Sequence, residues 1–137
     1  MIQDGKMIYK SFFWFLYSYF KKGKEIDPLF SSVCAIVGLQ VLNLIFLQGL
    51  FFFHLTNKRD LLFDKTPILG FIIITLLLAV NYFYFKSANL KKIENDYNTA
   101  IRNNRNTYKF IYFAYIISST IIVILMLYSI KNNIKWF

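Results

Sequence analysis

Apolar and polar positions along the chain fall into long blocks rather than short alternations. Three apolar blocks, residues 29–53, 67–85 and 108–130, each run for about the 20 residues a helix needs to cross a ~30 Å hydrocarbon core. None carries Asp, Glu, Lys or Arg near its centre. The first opens behind Asp27-Pro28 and the second behind Thr66-Pro67, each joining a capping side chain to a proline in the first helical turn. The third has no charge after Lys109 until its end. These blocks predict three transmembrane helices.

A fourth block, residues 8–20, has a different character. Its apolar core from Phe12 to Phe20 is too short to span, and lysines flank it: Lys10 before, then Lys21, Lys22 and Lys24. Ser11, Ser18 and Lys22 recur at helical spacing, leaving Phe12, Phe13, Trp14, Leu16 and Tyr19 to cover the remaining surface. Tryptophan and tyrosine favour the headgroup level, so the block predicts an interfacial aromatic helix lying along the membrane. Trp14, Lys21, Lys22 and Lys24 are its candidate lipid-headgroup contacts. A secretory signal peptide is the competing reading, and it lacks a small-residue cleavage site after the block.

Between the second and third spans, residues 86–107 are polar and rich in asparagine. Leu90, Ile93, Tyr97, Ile101 and Tyr108 nevertheless fall near one helical face, at offsets of 3, 7, 11 and 18. The pattern predicts a cytoplasmic amphipathic helix that breaks at Asn103-Asn104-Arg105-Asn106. A straight continuation of the second span to Arg102 would project ~25 Å. The chain left before the third span stretches at most ~20 Å. A bend near Ser87-Ala88-Asn89 is therefore expected, laying the helix on the membrane or against a partner.

Charge placement sets the orientation. With three spans, 11 Lys/Arg lie on the side of the N-terminal arm and the second connection, and 5 lie opposite. The positive-inside rule then predicts a multi-pass protein of the cytoplasmic (inner) membrane, N-terminus in the cytoplasm and C-terminus outside. A spanning first block would reduce the split to 9 against 7.

Composition agrees with a lipid environment. Of 137 residues, 57% are hydrophobic and 20% aromatic, more apolar surface than a water-soluble domain of this length can hide. The net charge of +9 is scattered between apolar blocks and not gathered on one face, so nucleic acid is not an expected partner. The lone Cys34 allows no disulfide within the chain.

Candidate chemistry is confined to uncharged polar residues at membrane depth. Gln40 and Asn43 share a face of the first span, Thr75 lies mid-way along the second, and Ser118, Ser119 and Thr120 straddle the middle of the third. They either hydrogen-bond between helices or line a water-filled path. Small residues at spacing four (Ser31/Ala35, Cys34/Gly38, Thr75/Ala79, Ala114/Ser118) favour close helix contacts, within the chain or between copies.

His54, followed by Asp60 and Asp64, is a weak ligand set without a second histidine or a thiolate. No catalytic motif, metal site or cofactor site is expected. The absence of an ionisable residue at depth argues against proton-coupled transport.

The sequence thus predicts one polytopic domain over residues 1–137, an all-α membrane protein. The expected role is non-enzymatic: an accessory or scaffolding subunit whose partners are the bilayer and another membrane protein or itself. The alternative is an oligomeric pore of the holin or defence-effector kind.

Overall fold

A computed structural model describes residues 2–56, 66–101 and 105–136. They form helices α1 (Ile2–Lys22), α2 (Pro28–Gln48), a π-helical segment (Gly49–Leu55), α3 (Pro67–Ser87), α4 (Leu90–Ile101) and α5 (Arg105–Asn132). Three helices are long and apolar enough to cross a membrane: Pro28–Leu55, Pro67–Ser87 and Asn106–Asn132. The protein is an all-α membrane protein with three spans. The first connection, with Lys58, Arg59, Asp60, Asp64 and Lys65, lies outside the described residues, as do Asn103 and Asn104 of the predicted break, whose Arg105 and Asn106 instead open α5.

The helix ends follow local chemistry. Asp27 accepts a hydrogen bond from the Phe30 amide (3.0 Å) and Pro28 occupies the first turn, so α2 starts where the cap signal placed it. The α1–α2 turn is a Schellman motif: the Glu25 amide donates to the Phe20 carbonyl (3.3 Å) and the Lys24 amide to that of Lys21 (3.3 Å). Lys24 holds the left-handed position at φ 58°, which usually falls to glycine. The same motif ends α5, with Asn133 at φ 56° and the Ile134 amide on the Ser129 carbonyl (2.9 Å).

α2 is the hub and touches α1, α3 and α5. α3 and α5 leave broad outer faces bare, with Ile68, Phe71 and Phe83 on one and Phe110, Ile117 and Ile124 on the other all more than half exposed. In water such faces would be unstable, and here lipid covers them.

The aromatic block differs from its sequence reading. α1 extends over Ile2–Lys22 rather than 8–20 and folds back along α2 as an antiparallel hairpin. Tyr9 meets Gln40, 12 residues beyond Pro28 and so ~18 Å along the helix. Phe12, Phe13, Phe15 and Leu16 are buried against the bundle. The physical reason is that an aromatic face is served equally well by a lipid interface or by other aromatic rings. Here Phe85, Tyr112 and Phe113 supply the rings.

α4 packs on α1 and seals the same end. The expected break falls at Ala88-Asn89, where Ala88 is extended and the Asn89 side chain accepts from the Lys92 amide (3.2 Å). Ile93 and Tyr97 are buried and Leu90 half-buried, as their common face predicts.

Candidate functional site

The polar residues of the spans separate into an inner and an outer set. The inner set centres on Asn81, whose place near the end of its span hides it from a sequence pattern that singles out polar residues at mid-span. Asn81 is buried and joins three helices. Its amide nitrogen donates to the Gln40 side-chain oxygen (3.1 Å) and to the Leu77 carbonyl (2.8 Å), and its oxygen accepts from the Tyr9 hydroxyl. Gln40 also hydrogen-bonds with Tyr9. Burial raises the Tyr9 hydroxyl above its ordinary pKa by more than the Gln40 bond lowers it, so the phenol stays protonated as a donor.

Asn43 makes a separate link, donating from its side chain to the Tyr115 hydroxyl of α5 (2.8 Å). Gln40 and Asn43 thus share a helix but tie α2 to different neighbours. Tyr9 and Tyr115 could have been suspected only as hydroxyl-bearing residues within otherwise apolar helices.

The outer set is spent locally. Thr75 donates to the Phe71 carbonyl (2.8 Å), Ser118 to that of Tyr115 (3.1 Å) and Thr120 to that of Ile116 (2.9 Å), and all three residues are exposed. Ser119 points inward and is buried. The small residues Ala79 and Ala114 face outward with Thr75 and Ser118, and a side chain built on Gly38 would meet open space. Gly49 is the opposite case. An added Cβ there would lie 2.5 Å from Met126 Cγ and 2.8 Å from its Sδ, so glycine sets the approach of the π-helical segment to α5.

At the far end of the bundle the tail folds over His54. The Trp136 indole donates to Ser129 Oγ (2.5 Å), its backbone amide to His54 Nδ1 (3.3 Å), and Lys135 donates to the Phe53 carbonyl. The Lys135 ammonium also sits 4.2 Å above the Phe53 ring. The π-helical turn makes this possible: its wider winding turns both Phe53 and His54 inward, and both are buried. Among the described residues no group of His, Cys, Asp or Glu is placed to hold a metal ion.

At the basic end, Trp14, Lys21 and Lys22 line a groove of about 610 Å³ together with Lys109 and Phe113 of α5 and Glu94 of α4. Lys24 is exposed in the turn beside it and does not line the groove. Comparison with protein-family models, curated proteins and solved structures finds no match to this chain.

Proposed function

We propose that this chain is a non-enzymatic membrane subunit acting as an accessory or scaffold. It binds a second membrane protein or another copy of itself through the outward small-residue faces of α3 and α5. Its basic end faces the cytoplasm, in keeping with the excess of lysine and arginine there.

The observation that carries this reading is the division of polar groups. Gln40, Asn43 and Asn81 turn their amides onto partners within the chain, while Thr75/Ala79 and Ala114/Ser118 stand exposed at helix-contact spacing. In lipid, helix association is driven by close packing, which small residues permit. A pore would need Gln40 and Asn43 to face water. Their bonds to Asn81 and Tyr115 favour the scaffold instead.

The test is cross-linking in native membranes. In a Cys34→Ser background, single cysteines at Ala79 and Ser118 should give discrete adducts with a short bismaleimide, and one at inward-facing Ile36 should not. Monomer alone at both outward positions would reject the proposed faces. Expression should also leave the membrane potential intact. A collapse relieved by Gln40→Leu/Asn43→Leu would overturn the scaffold in favour of the pore.

A further inference from the structure

The groove at the basic end gathers cationic and aromatic side chains from α1, α4 and α5. Its lysines come from two helices far apart in sequence, Lys21 and Lys22 at the end of α1 and Lys109 at the start of α5. Against these three cations stands one lining carboxylate, Glu94. Trp14, Phe15 and Phe113 make the apolar wall, and Ser18 and Asn98 add neutral donors. The Phe113 side of the groove runs on into the exposed, lipid-facing surface of α5 at Phe110 and Ile117.

The geometry points to a binding site for one anionic phospholipid. Its phosphate sits among Lys21, Lys22 and Lys109, and its acyl chains descend along α5 from Phe113. Charge complementarity selects an anion, because lysine ammoniums hold phosphate as point charges. The aromatic wall and the open flank toward α5 select a lipid over a free anion, which would have no use for either. Lys109 opens the third span and Trp14 stands across from it, which puts the groove at headgroup level. The inference rests on the chain spanning a membrane and is independent of the scaffold role.

Two measurements test it. The chain in phosphatidylcholine nanodiscs, alone or mixed with phosphatidylglycerol, is examined by native mass spectrometry after lipid stripping. One phosphatidylglycerol should be retained per chain, in preference to phosphatidylcholine. Lys22→Gln/Lys109→Gln should weaken retention about 30-fold, as two headgroup-level lysines imply. A charge-matched pair at the same end but outside the groove, Lys86→Gln/Lys91→Gln, should leave it within about twofold.

In a Trp136→Phe variant, Trp14 is the sole tryptophan. Phosphatidylglycerol brominated near the carbonyl should quench it more strongly than brominated phosphatidylcholine does. Equal loss in both lysine pairs, or equal quenching by both lipids, would reduce the groove to part of a diffuse field and overturn the site. Displacement of the lipid by inorganic phosphate would show a free-anion site and overturn the lipid assignment. Circular dichroism confirms that each variant remains helical.

Discussion

The Phe13 and Phe85 rings lie face to face, 3.8 Å apart and 7° from parallel, and neither is exposed. They come from the middle of α1 and the end of α3, so one stacked pair fastens the aromatic helix to the second span. Removing either ring opens a cavity where close packing, and not aversion to water alone, holds the helices. Phe13→Ala should cost about 3 kcal/mol, with a coupling to Phe85→Ala of about 1 kcal/mol in a double-mutant cycle. Denaturant titration in detergent checks it. A cost below that of an exposed control, Ile8→Ala, would mean that α1 does not dock.

Asn81 should matter more than any hydroxyl in the spans. Asn81→Leu removes bonds to Gln40 and Leu77 and leaves the Tyr9 hydroxyl without its acceptor. A loss of about 1–2 kcal/mol is expected. Thr75→Val should fall within about 0.5 kcal/mol, because the exposed hydroxyl only returns to its own helix. Thermal unfolding of the two variants side by side separates them.

The two glycines of the first span should respond in opposite ways. Gly49→Leu collides with Met126 and should destabilise by about 1–3 kcal/mol, with partial rescue by Met126→Ala. Gly38→Leu enters open space and should be nearly neutral to the isolated chain. If Gly38→Leu proved the more damaging, the packing of α2 on α5 would need revision.

Lys24 occupies a left-handed position that a Cβ disfavours. Lys24→Gly should therefore stabilise the chain by about 1 kcal/mol, measured in uncharged detergent so that headgroup attraction plays no part. Asn133→Gly should gain less, since asparagine tolerates that conformation.

The folded-back tail should behave as a local unit. Trp136→Ala removes the indole bond to Ser129 and the ring packed on His54, 5.0 Å away between centroids. Limited proteolysis should then cut the tail several-fold faster, while the midpoint of global unfolding shifts little. An unchanged cutting rate would show that the clasp does not hold the tail.

Much of this architecture is a local matter, and the sequence alone determined it. Twenty-odd apolar residues must satisfy their backbone within a helix when lipid surrounds them, so the three spans followed from length and composition. Asp27-Pro28 started α2, the polar stretch after Phe85 forced a break near Asn89, and the spacing of Leu90, Ile93 and Tyr97 marked the inner face of α4. Each of these depends on residues within a few positions of one another.

Tertiary structure decided which face meets which. Lipid is as apolar as leucine, so composition does not distinguish a side chain turned to lipid from one turned to protein. That is why the rings of α1 read as lipid-facing, although Phe12, Phe13 and Phe15 pack on protein. The same limit hid the partners of the polar residues. Tyr9 and Asn81 are 72 positions apart, as are Asn43 and Tyr115, and His54 meets Trp136 across 82. The sequence could say that Gln40 and Asn43 needed partners at depth. Only the crossing of helices around α2 supplied Asn81 to one and Tyr115 to the other.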